Sequence, residues 1–189
     1  MQEDPEITPD TITADTITPD SKDWTWVLER PCEECGFDSR TVAGPEIGDR
    51  MRANTTVWQQ VLGRPDVATR PAPGVWSPLE YACHVVDVHR VFEARAALML
   101  AEDDPLFENW DQDATAVAGR YAEQDPATVS GELSGAAAAA AARFDAVTGD
   151  EWARTGRRGD GAVFTVESLG RYFVHDWTHH LRDVGAAAP

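Results

Sequence analysis

The residues best able to do chemistry in this chain are its five histidines, and they fall in two places. His84 and His89 stand in one apolar-periodic segment; His175, His179 and His180 stand in another near the end of the chain. The i, i+4 spacing of His175 and His179 would put both imidazoles on one helix face about 6 Å apart, a span that one divalent ion can bridge. His84 lies on the side of its own segment shared with Val88 and Val91, so it can add a third nitrogen if the two segments pack as neighbours. Three imidazoles leave coordination positions open, which is the arrangement of a catalytic Zn, Ni or Fe(II) site and not of a closed structural one. The same spacing also suits a plain pair of surface or capping histidines. Tyr172, Phe173 and Trp177 surround the second group, and near a core an unpaired polar ring is costly, which favours the ion.

Other polar residues sit close to these. Asp87, three residues after His84 and on the same face, can orient an imidazole or act as a general base; its competing role is a surface carboxylate beside Arg90 or Arg95. His180 projects about 100° from His179 and reads as packing or as outer support for the pocket. Trp110, Asp111 and Asp113 form either a lid or an ordinary solvated loop. Separately, Cys32-Glu33-Glu34-Cys35-Gly36-Phe37 has the form of a zinc knuckle, with Gly after the second Cys letting amides face the thiolates. A closed zinc site needs four ligands, and the chain offers one such cysteine pair, with Cys83 tied up beside His84. The pair therefore reads as half of an intermolecular zinc site, as a redox dithiol without the usual βαβ setting, or as two small residues in a tight turn that can form a reversible disulfide.

The elements that must position these residues are helical. Ile47, Met51, Val57, Trp58 and Val61 mark a first helix over about 46–63, ended by Gly63 and Pro65. Ser77-Pro78-Leu79-Glu80 carries the signature of a capping box with proline at the first helical position, and opens a second helix to about Glu102. A polar stretch, 103–124, is long enough to be functional or mobile and to cross a bundle. Asp125-Pro126 repeats the cap signal for a helix over 126–148, and Thr165 caps a fourth over 166–184, with Gly185 just past its end. Strand alternation is confined to a few residues near Phe164. The pattern predicts an all-α, antiparallel four-helix bundle over 45–185, preceded by an extended arm bearing the tryptophans and C-x-x-C (23–44) and by a disordered, Thr/Pro/Asp-rich acidic tail (1–22).

The chain has 189 residues and a formal net charge of −17. Residues 1–40 hold 11 acidic residues against Lys22, Arg30 and Arg40, a net of −8, and the remainder carries −9. Such a surface repels phosphate, so binding to nucleic acid or to anionic lipid is not expected. No apolar leader or run of about 20 apolar residues is present, so the expectation is a cytoplasmic protein without a membrane partner.

Trp76-Ser77-Pro78-Leu79-Glu80, followed by Cys83-His84-Val85-Val86-Asp87 and, near the end, Tyr172-Phe173-Val174-His175-Asp176-Trp177-Thr178-His179-His180-Leu181, resembles the DinB/YfiT-like superfamily over about residues 45–184. That superfamily includes the metal-binding domains of mycothiol-dependent maleylpyruvate isomerases. The resemblance implies a four-helix bundle, often a homodimer, with one divalent ion (Zn, Ni or Fe) held by three side chains. Carried over residue by residue, these are His84, His175 and His179. It also implies an enzyme that activates a small thiol of the mycothiol type for transfer to a small electrophile, or else a non-catalytic metal-binding stress module. Arginine-rich, lysine-poor composition suggests a GC-rich gene, which fits mycothiol as the thiol. The isomerase-type relatives carry a further C-terminal domain, so isomerisation itself is not the expected reaction.

Overall fold

Each of the three cap signals starts a helix. Ser77 accepts a hydrogen bond from the Glu80 amide at 3.2 Å while the Glu80 carboxylate accepts from the Ser77 amide at 2.8 Å. Asp125 accepts from the Thr128 amide at 2.8 Å, and Thr165 from the Ser168 amide at 3.0 Å. These bonds satisfy backbone donors that a helix start leaves without partners. The computed structural model describes residues 17–18 and 22–189, so the acidic tail expected over 1–22 lies almost wholly outside the described residues. The helices are α1 (Ile47–Leu62), α2 (Pro78–Ala101), α3 (Gln112–Ala118), α4 (Pro126–Asp145) and α5 (Val166–Asp183). Gly185, at φ +65°, ends α5 in the left-handed conformation that glycine adopts at least cost.

α1, α4, α2 and α5 stand in that order around one core. Side-chain pairing gives their directions. Gln59 reaches Ser130 and Ser134 while Arg52 reaches Asp145, so α1 and α4 run antiparallel. His84 faces Asp176 and Phe92 packs on Tyr172 and Phe173, so α2 and α5 are also antiparallel. Trp58 donates to the Trp177 carbonyl and Ile47 closes on Gly170, so α1 and α5 run parallel. Arg90 pairs with Glu132 and Glu93 with Arg143, so α2 and α4 are parallel too. The four-helix bundle expected from the sequence is therefore built from two antiparallel pairs set side by side. Trp58, Met99, Phe144, Phe173, Trp177 and Leu181 fill its centre at 1% exposure or less. Burying large side chains of this kind stabilises by about 1.5–3 kcal/mol each.

Two regions depart from expectation. The stretch 103–124 is ordered: it contains the strand β1 (Leu106–Phe107) and the short helix α3, and Tyr121 packs into the core. The Gly-rich crossover before α5 forms a hairpin, β2 (Thr155–Arg158) and β3 (Val163–Thr165), onto which β1 adds in parallel. Strands this short carry no readable period-2 signal. The arm winds through 3-10 turns at Thr25–Leu28, Ser39–Thr41 and Gly44–Glu46. It is anchored to α5, with Arg171 donating to the Val42 carbonyl and the Gly44 amide donating to Glu167.

Candidate metal centre

α2 and α5 bring one histidine ring and two i, i+4 pairs together near one end of the bundle, and the structure sorts them differently from the sequence expectation. Two clusters of ligand-type atoms appear among the described residues: His84 with Asp176 and His180, and Cys32 and Cys35 with His175 and His179. In each, the ligand atoms all lie within 4.8 Å of one another. The expected grouping of His84, His175 and His179 is not one of them. The reason is the helical register. Asp176 and His180 are also i, i+4, one residue on from His175 and His179, and that step turns them about 100° around α5. The turned pair faces His84 on α2, and the first pair faces the arm.

In the first cluster, His84 Nε2 lies 3.6 Å from Asp176 Oδ1, and His180 Nε2 lies 3.8 Å from that oxygen. These separations are too long for hydrogen bonds but near the ~3.4 Å between ligands of one tetrahedral ion with bonds of about 2.1 Å. His84 is fully buried, and both its ring nitrogens, like Asp176 Oδ1, lack a hydrogen-bond partner among the described residues. Buried polar atoms left in this state are costly, and a cation between them removes the cost. Burial pushes the His84 pKa below its ordinary value and keeps the imidazole neutral, the form that offers a lone pair. Burial also opposes ionisation of Asp176, but the imidazoles of His84, His180 and His175 outweigh it and hold the carboxyl below the usual carboxylate range. His180 Nδ1 donates to Asp183 Oδ2 at 2.8 Å, so a carboxylate behind the ring directs its Nε2. The donor set, two imidazoles and one carboxylate, suits Zn, Ni or Fe(II) and leaves positions open.

The second cluster joins the arm to α5. Cys32 Sγ is 3.7 Å from His179 Nδ1. His175 and His179 are neutral, the former pushed down to about 4 by burial and by its neighbour His179. Burial pushes the Cys35 thiol up to about 11, against an opposing hydrogen bond from the Phe37 amide. All three cysteines are free thiols.

The other candidates take humbler places. Asp87 pairs with Arg90 at 3.0 Å and accepts from the Tyr121 hydroxyl, outside both clusters. Asp111 caps α3 through the Ala114 amide at 2.9 Å and lines the cavity described below. Trp110 stacks on His84 with ring centroids 5.4 Å apart and planes 11° from parallel. The sequence reading gave neither Asp176 nor Asp183 a role. The signal that could have found Asp176 was the second i, i+4 pair. His89 is a core residue whose Nδ1 donates to the Val85 carbonyl at 2.7 Å.

Asp176, His180, His175 and His179 all border a cavity of about 840 Å³. Its walls are Trp24 and Lys22 of the arm, Trp76 and Tyr81 of the α2 start, Trp110, and the cations Arg95 and Arg158. Arg158 is paired with Asp160 at 2.8 Å. Arg95, 8% exposed, donates to the Glu108 carbonyl at 3.0 Å and stacks on Phe92 and Phe107, with no carboxylate in ion-pair range among the described residues.

No curated protein matches the chain. Among solved structures, YfiT from Bacillus subtilis, described as a probable metal-dependent hydrolase with an unusual four-helix bundle topology, superposes with a TM-score of 0.67 at 19% identity. The match covers 84% of this chain and 94% of that one. The family model of the DinB superfamily matches residues 48–184, a span that holds the whole bundle with His84, Asp176 and His180, and this chain belongs to that superfamily.

Proposed function

We propose that the protein is a metal-dependent enzyme in which His84, Asp176 and His180 hold one divalent ion beside a pocket for a small thiol and a small electrophile. The observation that carries this reading is the convergence of three donor atoms, two of them buried and without hydrogen-bond partners among the described residues, beside a cavity of about 840 Å³. When bound, the ion supplies Lewis acidity that lowers the pKa of a thiol or a water at neutral pH. The protein's own share is positioning. Asp183 orients His180, Trp110 stacks on His84 while Trp76 packs against it at a tilt, and the aromatic walls keep water from a reactive thiol. Arg95 offers the cavity a cation without a carboxylate partner among the described residues, which suits an anionic group on the substrate. Mycothiol or a related low-molecular-weight thiol is the proposed co-substrate, and the cytoplasm, where such thiols and Cys32, Cys35 and Cys83 stay reduced, is the proposed location.

The test is conjugation of mycothiol, and of simple thiols, to a bimane electrophile, with and without chelator, in wild type and in His84→Ala and Asp176→Ala. Metal-dependent turnover lost in both variants supports the reading. Turnover indifferent to chelator removes it. Bound metal without any turnover on thiols, esters or amides leaves the protein as a metal-binding module instead.

A further inference from the structure

Cys32 and Cys35 sit in a turn whose backbone is preset for metal. The Cys32 amide donates to the Phe37 carbonyl and the Gly36 amide to the Cys32 carbonyl, both at 2.8 Å. Gly36, at φ +76°, is the one residue of the turn in the left-handed region. This brings the two thiols within 4.8 Å of each other. Opposite them, one turn of α5 presents His175 and His179. Cys32 Sγ to His179 Nδ1 measures 3.7 Å, close to the ~3.6 Å expected between S and N ligands of one tetrahedral Zn with bonds of about 2.3 and 2.05 Å. Nε2 of His179 faces Glu34 at 3.7 Å and Asp183 at 3.9 Å, so carboxylates stand behind the ring, where they direct Nδ1 to the thiols. His175 Nε2 is buried without a hydrogen-bond partner. Trp24 packs over both imidazoles, with ring centroids 5.4 and 4.9 Å away, and Phe37 packs on His175.

We propose that Cys32, Cys35, His175 and His179 form a second metal site, closed and tetrahedral, which takes zinc and fastens the arm to α5. Binding converts two thiols to thiolates and releases two protons; two negative sulfurs, two neutral imidazoles and one Zn²⁺ make an uncharged cluster that can be buried. Four protein ligands leave no position for substrate, so the role is structural. The link joins residues 147 apart in sequence, and fastening chain ends that far apart removes much of the unfolded chain's freedom. It also holds Lys22, Trp24 and Glu34 in place as one wall of the cavity. The sequence reading offered the pair as half of an intermolecular zinc site; His175 and His179 complete the knuckle within a single chain. It stands independently of the ion at His84, Asp176 and His180.

The experiment is elemental analysis and cobalt reconstitution of the full chain, comparing wild type with Cys35→Ser and His84→Ala. Wild type is expected to bind one more zinc per chain than Cys35→Ser, and His84→Ala is expected to keep the thiolate-bound ion. Reconstituted with Co²⁺, wild type and His84→Ala show the near-ultraviolet sulfur-to-cobalt charge-transfer band, and Cys35→Ser loses most of it. Cys32 and Cys35 react slowly with a thiol reagent until chelator is added. Because the cobalt band and thiol protection are read on wild type, the proposal stays falsifiable even if Cys35→Ser does not fold. Wild type without the band, thiols equally reactive with and without metal, or a Cys32–Cys35 disulfide in the freshly isolated protein each overturns it. Failure of His84→Ala to lower bound metal bears only on the other site.

Discussion

Two ligand clusters built on the same two turns of α5 differ in what surrounds them. His84, Asp176 and His180 come from two core helices, offer nitrogen and oxygen, and are three ligands with positions to spare, Asp176 and His180 lying on the cavity wall. Cys32, Cys35, His175 and His179 come from the arm and α5, offer sulfur and nitrogen, and are four in number, as a closed tetrahedral site requires. The difference teaches that the helix does not decide a site's role. The partner that its two faces meet decides it: a packed helix on one side and a preset turn on the other.

The contrast can be broken most sharply at the ligands. Asp176→Ala is expected to lower thiol-conjugating activity more than 100-fold, beyond the 10–100-fold typical of outer-shell changes, while the sulfur-to-cobalt band persists. Equal loss at both sites would merge the two clusters into one. Next in size, a chelator strong enough to strip both ions should lower stability by about 4 kcal/mol for each site whose zinc was held a thousandfold above its Kd. Calorimetry of wild type, Cys35→Ser and His84→Ala shows which ion carries it, and we expect the closed site to carry most. Asp183→Asn, which weakens the support behind His180, should reduce metal affinity at the open site by 10–100-fold without removing either ligand set.

A smaller effect tests the element that presents His84. Glu80 is 3% exposed; burial raises its pKa, but the Arg70 guanidinium and Ser77 more than offset this and hold it below its ordinary 4.5. A lowered carboxyl stabilises the fold above the unfolded pKa, and the contribution fades as pH falls through the folded value. Glu80→Gln should therefore cost about 2 kcal/mol at pH 7 in denaturant melts, with the gap to wild type closing below about pH 4. Smallest of all, Trp110→Ala should cost about 1 kcal/mol of stacking on His84 and raise KM while leaving bound metal unchanged.

The helices were legible because their ends are written in local chemistry: Ser77-Pro78, Asp125-Pro126 and Thr165 each cap a helix within the few residues where the sequence places it. β1 and β2 were not, since two and four residues carry no period and their pairing is set by the bundle. The site was half legible. Residue types and the two helices could be read, but a run of His175, Asp176, His179 and His180 contains two i, i+4 pairs, and spacing alone cannot say which one faces α2. Nor could spacing join Cys32 to His179, because that contact depends on where a long arm returns.

The parallel course of α2 and α4 has a consequence of its own. A chain that leaves α2 must travel back along the bundle before α4 can begin, so 102–125 is a return path that the topology requires and not a removable insertion. That path runs past the cavity and leaves Trp110 against His84 and Asp111 on the rim. Recombining this segment with one of another sequence, at constant length and with Phe107 and Tyr121 kept for the core, is thus a route to new pocket shapes on the same four main helices.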